Sequence, residues 1–240
     1  IHTAHHAISI LGALRPEIAE YLISKYSNTG DVVFDPFSKD GVVTLQSRLM
    51  GRIALGSDIN PLGVFYSKAK LEPVDLTDIT LRLQLVNLKR PISIELYTKD
   101  FYPFFHLDTF RELINLKNFL RTNYDKTAQF IELLALGLLH GHKQSFFSAY
   151  SSPTVSISVD EQENSNSRRN QHPDYRALVP RILKKAASVL QDANGSFYNN
   201  DKLHNIELAD PRNLAAVGTG SVDLVVTQPL LPNKIYSAVD

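Results

Sequence analysis

The sequence predicts an α/β chain, a parallel sheet wound with helices and interrupted by a long, mostly helical insertion. Three observations carry that expectation. Short apolar, β-branched runs end in acidic turns within residues 31–61. A second pair of buried runs, ending in polar turns, returns within residues 204–227. The stretch between the pairs, residues 72–200, is far longer than the roughly two to six residues usual for such a connection.

The chain opens with His2, His5 and His6, which lack a matched acid or second ligand pair and read as a mobile start rather than a metal site. Pro16 suits a first helical turn, and Ile18, Leu22 and Ile23 mark one stripe of a helix over 16–25. Val32-Val33-Phe34 has the pattern of a strand buried on both faces. It ends in a turn bearing a carboxylate (Asp35), a fixed φ (Pro36) and a glycine (Gly41). A helix of about ten residues follows, with Leu45 and Leu49 on one face and Gly51 as its C-cap. Ile53-Ala54-Leu55 then begins a second buried strand that ends at Asp58. Acids therefore stand at the carboxyl ends of both strands. Open parallel sheets bind ligands at that edge, and an acid after the second strand commonly holds ribose hydroxyls. The phosphate fingerprint Gly-x-Gly-x-x-Gly is missing, which argues against a dinucleotide and for a nucleoside ligand without a pyrophosphate. That combination is the signature of an S-adenosylmethionine site.

Within the insertion, Leu107 to Leu120 and Thr127 to His140 carry apolar residues at helical spacing. Phe101, Tyr102, Phe104 and Phe105 form an aromatic cluster suited to a core or a helix-docking surface. His140 and His142 read as satisfied structural histidines, with an approach to nucleic acid as the alternative. From Ser151 to His172 the composition turns polar and reads as a loop or a partly disordered segment. A helix from Asp174 to Asp192 follows. Its Arg176, Arg181, Lys184 and Lys185, with Arg168 and Arg169 before it, are the candidate phosphate contacts; the alternative is a solvated helix face. Asn194-Gly195 turns the chain into a third strand over Asn205 to Leu208, closed by Asp210, and Val222 to Val226 forms a fourth. All four should be parallel, with the first and fourth adjacent at the switch point. The resulting organisation is 1–71 as the N-terminal segment and first half of the cofactor-binding domain, 72–200 as the insertion, and 201–240 as the last two strands with the loop that follows them.

The block Asp35-Pro36-Phe37-Ser38, with Gly41 and the later Ser57-Asp58-Ile59-Asn60-Pro61-Leu62, resembles the cofactor half of the amino-methylating DNA methyltransferases. In that family the first motif reads Asp-Pro-Phe, a small residue, Gly-x-Gly, then Thr-Thr. This chain departs at Lys39, Asp40 and Val42-Val43. A second resemblance lies in Val222-Asp223-Leu224-Val225-Val226-Thr227 running into Gln228-Pro229-Leu230-Leu231. There the family carries its catalytic loop, Ser-Pro-Pro-Tyr or Asp-Pro-Pro-Tyr. The resemblance implies a Rossmann-like S-adenosylmethionine-dependent methyltransferase sheet with a helical insertion. It implies methyl transfer from S-adenosylmethionine to an exocyclic amine of cytosine (N4) or adenine (N6) in DNA, within restriction-modification.

On this resemblance Asp35, Pro36, Phe37 and Gly41 shape the methionine end of the cofactor, Asp58 and Asn60 the ribose side, and Asp210 the adenine. Gln228, Pro229 and Leu231 take the catalytic-loop positions. The loop's oxygen and proline carbonyl accept the amine hydrogens of a flipped base, and an aromatic holds the base's face. Gln228 offers a longer amide, and Leu231 lacks a stacking contribution of about 1–3 kcal/mol. A positive φ at Lys39 would be disfavoured, and its cation would stand near a sulfonium. Weak or lost activity, or a catalytically silent DNA-binding or scaffolding relative, is the alternative, with methylation of RNA or a small amine as a third reading. DNA is the implied partner and the prokaryotic cytosol, at the nucleoid, the implied location. A further C-terminal segment or a partner chain is expected to complete the sheet.

Composition narrows the field further. Hydrophobic content of 43% and charged content of 21% suit a globular chain. Lys and Arg number 25 against 25 Asp and Glu, so no global basic charge favours nucleic acid; a local basic face would have to supply it. Zero cysteines exclude disulfides, thiolate metal sites and the thiolate attack used in carbon-5 cytosine methylation. No apolar run approaches the roughly 18 residues of a membrane span.

Overall fold

The computed structural model describes residues 1–8, 10, 13–72, 74–151, 157–193, 204–215 and 217–228. They fall into two units, Ile1–Pro73 with Val189–Asp240, and Val74–Ser188. The Asn194-Gly195 turn, Pro229 and Leu231 lie outside the described residues.

The first unit is a four-stranded parallel sheet, β1 (Val32–Asp35), β2 (Ile53–Asp58), β3 (His204–Leu208) and β4 (Leu224–Val225), in the order β3-β2-β1-β4. Val32 pairs with Ile53, Ala54 with His204 and Val33 with Leu224, so all four strands run one way. This is the expected Rossmann-like α/β sheet, with β1 and β4 adjacent at the switch point. Alternation along each strand separates its two faces. On one face Val33 and Val226 pack with Ala19 and Ile23 of α1 (Pro16–Tyr26) and Val42 and Val43 of α2 (Val42–Leu49). On the same face Ile206 packs with Leu45 of α2 and with Val64 and Leu71 of α3 (Pro61–Leu71). Leu45 and Leu71 are fully buried, each worth about 1.5–3 kcal/mol of transfer from water.

The start of the chain is ordered, contrary to the sequence expectation. Thr3–His6 forms a 3-10 turn. Thr3 donates its backbone N–H to Asp192 (2.9 Å) and its hydroxyl to the Val189 carbonyl (2.9 Å). His5 is buried, its Nε2 2.9 Å from Gln46 Oε1. Once buried, the imidazole needs a fixed partner.

The second unit is helical: α4 (Leu76–Gln84), a π-helical turn at Tyr97–Phe101, α5 (Leu107–Thr122), α6 (Lys126–Leu136), α7 (Val159–Arg169) and most of α8 (Leu178–Val189). Phe101 stacks on Phe110 with ring centroids 5.1 Å apart, and Phe104 and Phe105 are buried, so these phenylalanines belong to the core, while Tyr102 is exposed. Two expectations fail here. The polar stretch carries a helix, α7, where a loop was expected. Ser158 Oγ accepts from Glu161 N–H, and the Glu161 carboxylate accepts from Ser158 N–H, a complete capping box. Asn170, at φ +47°, ends the helix in a left-handed cap. The next helix begins at Leu178 rather than Asp174, because the preceding segment is strapped to α5. Arg176 N–H donates to Thr109 Oγ1 (2.8 Å) and Leu178 N–H to Glu112 Oε2 (2.9 Å). Among the described residues no helix is long and apolar enough to cross a membrane.

Candidate functional site

At the carboxyl ends of β1, β2 and β4 the chain gathers six of the seven cofactor-site residues singled out in the sequence, together with Gln228. Asp35 closes β1 and is almost wholly buried. Its Oδ1 accepts from Phe37 N–H (3.1 Å) and from the Thr227 hydroxyl (2.6 Å), so the end of β4 is tied to the end of β1. Burial raises the Asp35 carboxyl to about 6, against the lowering effect of those two hydrogen bonds. Ser38 bridges to β2, its N–H donating to the Ser57 carbonyl (2.9 Å) and its hydroxyl to the Asp35 carbonyl (3.1 Å). Ser57 Oγ donates to the Pro36 carbonyl (3.3 Å).

Asp58 closes β2 and is largely buried. Oδ2 accepts from Lys39 N–H (2.8 Å) and Oδ1 from Asn60 N–H (2.8 Å). Each oxygen thus makes one backbone hydrogen bond and keeps a lone pair for a ligand. Lys39 has φ +49°, the left-handed conformation that the family's glycine would occupy at no steric cost. Gly41 has φ +75°, and a Cβ there would lie 2.8 Å from Ser67 Cα, so both backbone and space demand glycine. Asn60 caps α3, its Oδ1 accepting from Leu62 N–H (3.0 Å), so its side chain is spent on the helix start.

Asp210 follows β3, and its carboxylate is clasped by Arg212 through Nε (3.0 Å) and Nη2 (2.5 Å). Those bonds hold it down at about 2. Gln228 stands just past β4, and its buried Oε1 has no hydrogen-bond partner among the described residues. With Leu14, Asp35, Phe37, Ser38 and Lys39 it lines a crevice of about 10 Å³. A larger cavity, about 250 Å³, lies on the other face of the sheet against Phe34, Leu55, Asn205 and Glu207. It touches none of Asp35, Asp58 or Gln228.

The phosphate-contact candidates occupy unlike environments. Arg176 is buried, its guanidinium donating to the Phe146 and Ser148 carbonyls. Arg181 donates to the Gln144 carbonyl (3.2 Å), and Arg168 to that of Asn164 (3.3 Å). The Arg169 guanidinium lies 3.5 Å from the Tyr150 ring centroid, and His142 packs on the same ring at 4.7 Å. Arg168, Arg169 and Lys184 are exposed, and Lys185 is partly so. His140 packs against Phe104 and Phe105.

Three contributors escaped the sequence reading. Thr227 belonged to the noticed strand, but only its placement reveals the bond to Asp35. Ile59 is 60% exposed beside Asp58, an apolar surface at the ligand edge. Lys70 on α3 is fully buried and pairs with Asp40 of the β1–α2 turn at 3.6 Å. Burial pulls the Lys70 ammonium below its usual range, and Asp40 opposes that.

The type II methyltransferase M.MjaII of Methanocaldococcus jannaschii is 28% identical to the chain over 109 residues, which are 45% of this chain and 20% of the relative. The match thus spans about a fifth of the relative's length. No family model and no solved structure matches the chain.

Proposed function

We propose that this chain is the cofactor-binding part of a DNA amino-methyltransferase, transferring a methyl group from S-adenosylmethionine to cytosine N4 or adenine N6. The observation that carries the reading is the junction of β1, β2 and β4. An Asp-Pro-Phe turn, the Asp58 carboxylate and the residue that opens the post-β4 loop meet at the switch point of a parallel sheet, where such sheets bind ligands. Similarity to a type II methyltransferase supports methyl transfer, and the resemblance of Val222 to Leu231 to the catalytic loop of the amino-methylating family supports an amine as acceptor.

The residues fit the cofactor. Asp58 retains an acceptor lone pair on each oxygen for ribose hydroxyls, and exposed Ile59 offers an apolar face for a purine. S-adenosylmethionine, when bound, supplies the electrophilic methyl group. The protein's part is to position the nucleophile. Gln228 Oε1, buried and unpaired among the described residues, is the acceptor for an amine hydrogen. Receiving that hydrogen draws the amine lone pair out of conjugation with its ring. Thr227, anchored on Asp35, fixes the start of the loop that carries it. DNA is the proposed substrate, and Arg168, Arg169 and Lys184 are the exposed cations suited to its phosphates.

A second reading, a silent DNA-binding relative, is favoured by one observation: Lys39 sits in a glycine conformation and brings a cation to the cofactor turn. Calorimetric titration with S-adenosylmethionine, followed by tritiated methyl transfer to mixed genomic DNA, separates the two. Binding with transfer supports the enzyme. Binding without transfer locates the defect in the loop, where Gln228→Ser with Leu230→Pro and Leu231→Tyr should restore activity. No binding leaves the silent relative.

A further inference from the structure

Three consecutive turn residues after Ser38 are each met by one residue of a single α3 face. A Cβ on Gly63 would lie 3.1 Å from the Lys39 carbonyl oxygen and 2.8 Å from Asp58 Cγ. Lys70 Nζ lies 3.6 Å from Asp40 Oδ2, with both side chains almost fully buried. Ser67 packs on Gly41, its Cα 2.8 Å from where a Cβ would stand. Gly63, Ser67 and Lys70 are spaced i, i+4 and i+7, one stripe of a helix. Opposite, Lys39 N–H is held by Asp58. A turn that should be loose, with a strained lysine in place of glycine, is thus gripped from two sides.

We propose that Lys70 is a positioning residue for the ligand crevice: through its buried ion pair with Asp40 it fixes the β1–α2 turn in the conformation that aligns Asp35, Phe37 and Ser38. The physical reason is local. A carboxylate in the turn, left without a partner, would swing outward to regain water, because an unpaired buried charge is costly. The buried ammonium removes that option. Asp40 and Lys39 depart together from the family's glycine-rich pattern, and the grip from α3 compensates for both. The affinity consequence rests on the cofactor reading above; the conformational one does not.

The test compares the parent with Lys70→Met, Asp40→Asn and the double variant, which carries no charge at the site. Replacing both members of a buried pair with well-packed apolar residues of similar volume is often neutral for stability, and Met with Asn keeps the volumes close while removing both charges. The double variant should therefore melt cooperatively near the parent. Hydrogen exchange of a peptide spanning 38–43 should nevertheless run at least tenfold faster than in the parent, with 204–208 unchanged. S-adenosylmethionine should bind at least tenfold more weakly by calorimetry. Parent-like exchange over 38–43 in the double variant overturns the proposal, since the pair would then only fill the core. Lys70→Met alone, whose unpartnered Asp40 is free to turn out to water, gives the same readout should the double variant not fold. A parent without affinity for S-adenosylmethionine defeats the cofactor reading, and the exchange comparison still decides this one.

Discussion

At Lys39 two costs coincide, one of backbone and one of charge. Its φ of +49° places a side chain where L-residues pay about 1–2 kcal/mol, against about 0.5–1 kcal/mol of chain entropy that glycine would lose. Lys39→Gly should therefore stabilise the protein by about 0.5–1 kcal/mol in urea denaturation, and it should tighten S-adenosylmethionine binding by removing a cation from the turn. An unchanged midpoint would mean that contacts of the lysine side chain offset the strain. Asp58 is the complementary case. Asp58→Ala should weaken cofactor binding by about 1.5–3 kcal/mol, as expected for hydrogen bonds to a charged group. It also releases Lys39 N–H, so Asp58→Asn is the necessary control. An amide still accepts from one backbone N–H but pairs poorly with two hydroxyls. Equal affinity in both variants would remove the ribose assignment.

Helix α7 shows where local chemistry outweighs composition. Its one buried side chain is Gln162, so apolar burial contributes little, and the helix depends on its caps. Ser158→Ala breaks the capping box and should cost about 1 kcal/mol, seen as faster hydrogen exchange in a peptide spanning 159–169. Parent-like exchange there would mean the helix is held by its tertiary bonds, such as Asn166 to the Pro103 carbonyl. The signal, Ser158-x-x-Glu161, was present in the sequence and was masked by its polar surroundings. The strands were legible for the opposite reason: Val32-Val33-Phe34 and Ile53-Ala54-Leu55 announce double-sided burial, and parallel pairing follows. Asp58 was legible because an acid at a strand end is a local pattern. The Thr227–Asp35 bond, the Asp40–Lys70 pair and the carbonyl contacts of Arg176 join residues far apart in the chain, and no spacing rule reaches them. Arg176 drops out as a free cation by that route, whereas Arg168 and Arg169 stay exposed at the end of α7. If those two contact duplex DNA, replacing both with Gln should lower the slope of log K against log salt by about 1.8. A constant slope would return them to a solvated face.

Across the sheet unit as a whole, two buried groups act against each other as pH changes. Burial lowers His5 from 6.5 to about 4, so its contribution is complete above pH 6.5 and is lost as pH falls through 4. Burial raises Asp35 from 3.8 to about 6, so its contribution is complete below pH 3.8 and is lost as pH rises through 6. Between about pH 4 and 6 each has a slope near 1.4 kcal/mol per pH unit, with opposite sign. The parent should therefore show little net pH dependence from this pair, and single substitutions should expose it. Asp35→Asn keeps an acceptor for Phe37 N–H and Thr227 but removes the titration. Relative to the parent, it should be about 2–3 kcal/mol better off at pH 7 than at pH 4.5. His5→Gln should behave in reverse, better off at pH 4.5 by a similar amount. Urea denaturation of the three proteins at both pH values gives the comparison, and groups common to all cancel in the differences. Difference curves that are flat with pH would mean that neither group is as buried as its packing implies. A slope in only one would identify which wall of the sheet admits water.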